Sequence, residues 1–154
     1  MKYTVRFAHL AEIPPVRLGE IVKRGQLIGE MGSTGQSTAP HVHLDVVEGE
    51  HPGRYTLADI EAGKPPAAPP RQALYFCDEE LFGVKPVFTS GYADPEYFAN
   101  RKKVHLGFDV VPYDRHLSKA HWGLHWPRSM EGRVVAVAWD PKGYGHCLQI
   151  VYEA

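Results

Sequence analysis

A mainly β, antiparallel fold with little helix is what the sequence predicts. Three observations lead there. Apolar and polar residues alternate at period two in several short runs, as on half-buried strands. Fifteen glycines and thirteen prolines punctuate 154 residues, which favours tight turns over long helices. The connections between runs are short enough to imply antiparallel pairs.

Residues 2–10 form the first run. Tyr3, Val5, Phe7 and His9 share one face and Lys2, Thr4, Arg6 and Ala8 the other, so a strand begins almost at the first residue. Residues 11–31 read as short strands and turns broken by Gly19, Gly25 and Gly29. A strand follows at about 41–48. On it His41 and His43 alternate with Val42, Leu44 and Val46, placing two imidazoles on one face over an apolar backing. Tyr55–Ala62 allows two helical turns, with Thr56 as N-cap and Gly63 at the end. Residues 64–70, Lys-Pro-Pro-Ala-Ala-Pro-Pro, exclude helix and central strand and read as an extended linker. Further strands are expected near Ala73–Phe76 and Val84–Thr89. Residues 104–111 alternate again, with His105, Gly107 and Asp109 opposite Leu106, Phe108 and Val110. Residues 112–131 are expected as a long loop carrying His116, His121 and His125. Arg133–Trp139 and His146–Tyr152 are two strands joined by the turn Asp140–Gly145.

Composition narrows the function classes. Seventeen basic and eighteen acidic residues leave a formal net charge of −1, so nothing argues for nucleic acid or an anionic membrane as partner. No apolar run reaches the length of a membrane span. The first residues lack the apolar core of a signal peptide. Cys77 and Cys147 stand in no metal-type spacing and read as two buried thiols, a disulfide being the other reading.

The chemistry concentrates on two strands. One offers His41 and His43, the other His105 and Asp109. Two histidines and a carboxylate, with one position left open, is the composition of a catalytic zinc site. A further histidine beside it would be suited to moving protons near neutral pH.

These residues resemble the lysostaphin-type zinc metallopeptidases of cell-wall hydrolysis. The resemblance rests on His105-Leu106-Gly107-Phe108-Asp109 as a His-x-x-x-Asp motif, on Phe7-Ala8-His9-Leu10, and on the Gly- and Ser-rich segment from Gly32 to His43. Residues 16–29, Glu131–Val135 and Gly143–Gly145 are similar to the turns and strands around those motifs. The resemblance implies an antiparallel β domain of the duplicated hybrid motif kind, with His43, His105 and Asp109 as zinc ligands. It makes His41 and His9 the catalytic histidines, one acting on the water and the other steadying the water or the oxyanion. The implied activity is a zinc endopeptidase cleaving cross-links or stems of peptidoglycan, in the periplasm, outside the cell or delivered by a phage. Ala39 replaces the family's glycine before Pro40-His41 and removes no ligand. Tyr92, His121 and His125 are candidates for lining the substrate cleft.

The order of the motifs departs from the family. There His-x-x-x-Asp precedes His-x-His, whereas here His43 precedes His105. The chain reads as one circularly permuted domain over 1–154. Residues 1–48 supply the family's C-terminal half, 49–73 a helix and Pro-rich linker, and 74–154 the N-terminal half. The strand ending at Ala154 would run into the one starting at Met1. Two other arrangements fit the order: halves of tandem domains, or a homodimer in which two chains exchange halves. Closure within one chain is the preferred reading. Singly, each histidine is more often structural or merely exposed than catalytic; the joint match is what points to function. The rivals are an inert family member binding peptidoglycan or an amidase as an adaptor, and a carrier module. The intact histidines and Asp109 weigh against the first. The lack of a lysine in a carrier-type hairpin motif weighs against the second.

Overall fold

The structure, a computed structural model, describes residues 1–53, 76, 79–90, 95, 99–100, 107–113 and 122–154. Nine strands occur among them. They are β1 (Lys2–Leu10), β2 (Ile21–Val22), β3 (Leu27–Glu30), β4 (Val42–Glu48), β5 (Pro86–Ser90), β6 (Phe108–Pro112), β7 (Gly123–His125), β8 (Gly132–Asp140) and β9 (Gly145–Glu153). A single helical turn, α1, spans Glu79–Phe82.

Seven strands form one antiparallel sheet in the order β2-β8-β9-β1-β4-β6-β5. β1 is its middle strand. Tyr3–Ala8 pair with His43–Glu48 on one side, and Lys2–Phe7 pair with Leu148–Glu153 on the other. The Met1 ammonium donates to the Ala154 carbonyl at 2.9 Å, and Ala154 N donates back to Met1 O at 3.0 Å.

The two faces of the sheet differ as the alternation requires. Val5, Phe7, Leu44, Val110, Leu148 and Ile150 point into one apolar core. Phe76, Leu81, Leu124 and Trp126 belong to the same core, where Phe76, Trp126 and Tyr152 make an aromatic cluster with centroids 5.1–6.1 Å apart. The other face is polar yet covered. Thr4, Arg6, Asp45 and Gln149 are all buried on it. The segment after β4 closes over this face, because Thr4 Oγ1 donates to Gly49 O at 2.8 Å and Gln149 Nε2 to His51 O at 3.0 Å.

The described elements correct the sequence-based expectation in three places. Residues 123–125 were expected in a loop; they form β7, which pairs with β3 as a separate two-stranded sheet. Three residues are too few to display alternation, and Gly123 reads as a breaker. Its missing side chain is what lets Leu27 approach, since a Cβ there would meet Leu27 Cδ1 at 2.9 Å. Secondly, α1 lies between the two expected strands. Glu79 and Glu80 favour its N-terminal turn, and Leu81 and Phe82 are buried. Thirdly, strict alternation would put His9 on the core face with Phe7. His9 instead takes φ 60° within a bulge between Phe7 and Leu10 and turns to the polar face. The expected helix at 55–62 and the linker at 64–70 lie outside the described residues.

Candidate functional site

The site is built where β4 meets β6. Register pairs His43 with Asp109, and His43 Nδ1 lies 3.1 Å from Asp109 Oδ1. The other ring nitrogen, Nε2, lies 3.0 Å from Asp45 Oδ2. Asp45 in turn accepts from Arg6 Nε at 3.0 Å and Nη2 at 2.8 Å, with both side chains fully buried. Gly107 makes room for this arrangement. A Cβ there would stand 2.6 Å from Leu44 O and 2.7 Å from His43 Cε1.

Two more imidazoles face the same space. The His41 Nδ1 is 2.8 Å from the Ala39 carbonyl and Nε2 is 3.6 Å from Asp109 Oδ1. His9 lies with its ring centroid 4.9 Å from that of His41 and 6.3 Å from that of His43. His9 Nδ1 is 2.8 Å from Thr34 O. A carbonyl only accepts, so Nδ1 carries the hydrogen in both His9 and His41, and Nε2 of the neutral ring is the acceptor.

The Gly-rich segment holds His9 by locking onto the β8–β9 turn. Gln36 N donates to Gly143 O at 2.7 Å, and His146 N donates to Thr34 Oγ1 at 3.1 Å. Gly35, at φ 73°, packs so closely on the Gly143 carbonyl and the Gly145 backbone that any Cβ would overlap them. His9 N donates to Tyr144 O at 2.8 Å. The guanidinium carbon of Arg6 stacks 3.8 Å from the centroid of the Tyr144 ring.

Electrostatics separate the histidines. Burial is the largest influence on His9 and holds its pKa at about 4, against the partial offset of the Thr34 carbonyl. His9 is therefore neutral at pH 7. Burial would also lower His43, but hydrogen bonds and charge from Asp109 and Asp45 outweigh it and raise the metal-free ring to about 9. Burial pushes Asp45 up, while Arg6 and His43 together bring it below the usual carboxylate range.

His9, His41, His43 and Asp109 line one cleft of about 330 Å³, together with residues 36–40, Thr89, Ser90 and Val111. His125 is placed on β7 and is not among the residues lining that cleft. His105, Tyr92 and His121 lie outside the described residues. Sequence reasoning missed Arg6 and Asp45. Asp45 could have been found, because it shares the parity of His41 and His43. Arg6 could not, because its meeting with Asp45 depends on the β1–β4 register.

Among the described residues no group of three or more His, Cys, Asp or Glu side chains is arranged to hold a metal ion. The donor chemistry that is described suits zinc: an imidazole nitrogen and a carboxylate oxygen converge, with a second carboxylate behind the imidazole. His105, the remaining ligand implied by the resemblance, would complete three.

Comparison with known proteins follows the same half of the site. Residues 1–54, which carry His9, His41 and His43, match Peptidase family M23. The match is confined to that stretch. Among curated proteins, the chain is similar to peptidoglycan DD-endopeptidase ShyB of Vibrio cholerae serotype O1, at 40% identity over 62 residues, 40% of this chain and 14% of ShyB. Lysostaphin of Staphylococcus simulans is 54% identical over 38 residues, 25% of this chain and 8% of lysostaphin. Glycyl-glycine endopeptidase ALE-1 of Staphylococcus capitis is also 54% identical over 38 residues, with 10% of its length covered. The chain thus spans a small part of the length of the curated relatives it matches. No solved structure matches it.

Proposed function

We propose that this protein is a zinc-dependent endopeptidase that hydrolyses peptide bonds in peptidoglycan cross-links or stems. The observation that carries the reading is the 3.1 Å approach of His43 Nδ1 to Asp109 Oδ1, in a cleft that also holds His9 and His41. His43, Asp109 and His105 would hold the zinc, which supplies Lewis acidity at the scissile carbonyl.

The chain's own groups have separable roles. His41 Nε2, on the Asp109 side of the cleft, is the acceptor for a proton from the attacking water. His9 is neutral and offers Nε2 as an acceptor, which suits it to orienting that water rather than to donating to an oxyanion. Residues 36–40 and Ser90 border the groove that an extended peptide would enter.

The same reading places the two family halves in reversed order within one chain. The pairings β9–β1 and β4–β6 support closure of the site inside a single chain. Purified protein should contain about one zinc per chain and release peptides from peptidoglycan, with the bond identified by mass analysis of the products. His43→Ala should lose both metal and hydrolysis. Wild-type protein without metal and without hydrolysis would overturn the reading. Light scattering should find an active monomer; activity confined to a dimer would show that two chains exchange halves.

A further inference from the structure

Asp45, when ionised, only accepts hydrogen bonds, and Arg6 only donates. Asp45 Oδ2 lies 3.0 Å from Arg6 Nε, 2.8 Å from Arg6 Nη2 and 3.0 Å from His43 Nε2. The hydrogen between Asp45 and His43 must therefore sit on Nε2. Nδ1 faces Asp109 Oδ1, which also only accepts, so the metal-free ring carries a hydrogen on each nitrogen at neutral pH. When Nδ1 gives its hydrogen up, as it must to bind a metal, the one held by Asp45 stays on Nε2.

We propose that Arg6 and Asp45 are positioning residues: they lock His43 in the tautomer that presents the Nδ1 lone pair beside Asp109 to a metal ion. The proposal rests on the metallopeptidase reading for the metal, but the tautomer lock can be observed without it. Stability alone does not account for the pair. A fully buried ion pair contributes little beyond what well-packed apolar residues would, yet this one occupies the middle strand of the sheet and an adjacent one. Its geometry is also specific to arginine. The guanidinium grips Asp45 through two nitrogens while its carbon sits 3.8 Å from the centroid of the Tyr144 ring, and lysine has no such two-nitrogen fork. Tyr144 also accepts the backbone hydrogen of His9. One contact chain therefore runs from the β8–β9 turn through β1 to the imidazole on β4.

The test uses Asp45→Asn, Arg6→Lys and the paired variant Arg6→Gln with Asp45→Asn. The paired variant removes both charges together and so leaves no uncompensated buried ion. Folding is followed by circular dichroism. Zinc affinity is measured by competition with a chromophoric chelator, and the His43 tautomer by the ring nitrogen shifts of the metal-free, neutral ring. Wild type should show one tautomer, with the hydrogen on Nε2. Folded variants should show mixed tautomers and about 10–100-fold weaker zinc binding, the usual effect of removing a partner behind a metal ligand. Folded variants that keep both the tautomer and the affinity overturn the proposal. So does a paired variant that cannot fold, since the pair would then be structural. Wild type that binds no zinc but shows a single tautomer lost in the variants upholds the lock and overturns the metallopeptidase reading instead.

Discussion

Asp109 and Asp45 stand on opposite sides of the His43 ring, and this gives the metal-free protein a defined response to pH. The folded-state pKa of His43 is about 9, above its ordinary 6.5. Its contribution is therefore complete below pH 6.5 and lost as pH rises through 9, on the order of 3 kcal/mol at most. His9 acts in the opposite direction. Its folded-state pKa of about 4 means that stability falls as pH drops from 6.5 towards 4, where the unfolded chain takes up the proton first. Chemical denaturation of metal-free protein should show both limbs, and His43→Gln should remove the alkaline one. Gly107→Ala tests the space around the same ring. The added methyl meets the Leu44 carbonyl and the His43 ring, a backbone and a buried side chain that cannot both yield. It should cost about 1–3 kcal/mol and lower zinc content and hydrolysis together, as read by denaturation and metal analysis.

The Gly-rich segment and the β8–β9 turn act as one unit because their backbones touch without intervening side chains. Gly35 is the point of closest approach. Gly35→Ala combines that overlap with a left-handed φ of 73°, so the segment must lift from the turn. Thr34, whose carbonyl accepts from His9, would move with it. The expected outcome is a loss of about 1–3 kcal/mol and a fall in turnover well beyond the change in zinc content, because His9 is displaced while His43 is not. Comparing hydrolysis rate with metal content separates the two effects. The strands that carry this unit were legible in advance, since β1, β4, β8 and β9 alternate over seven to nine residues. β7 was not, because three residues hold too little pattern. The bulge at His9 was not, because it depends on Tyr144 and Thr34 from distant parts of the chain.

At the scale of the whole molecule, strands from the two ends of the sequence lie side by side in the sheet, with Lys2 opposite Glu153. A rearranged chain, with Ala154 joined to Met1 through a short Gly-Ser turn and the backbone opened between Pro66 and Ala67, should fold and, on the proposed function, match the original chain in size, zinc content and hydrolysis. The rearranged order is the one the proposed reading takes as the unpermuted one. Loss of folding in that chain would show that the segment between the halves is needed for more than connection. Size measurement and metal analysis decide the outcome.

By itself the sequence determined the β character, the polar and apolar faces of β4 and β6, and the residue types of the candidate site. These follow from period-two alternation and from motif spacing, which are local. Only the tertiary structure decided that His43 faces Asp109, that His9 leaves the apolar face of its strand, and that Arg6 reaches Asp45. Each depends on strand register or on contact between distant turns, and a one-residue slip in register would reverse the faces while leaving every local pattern unchanged.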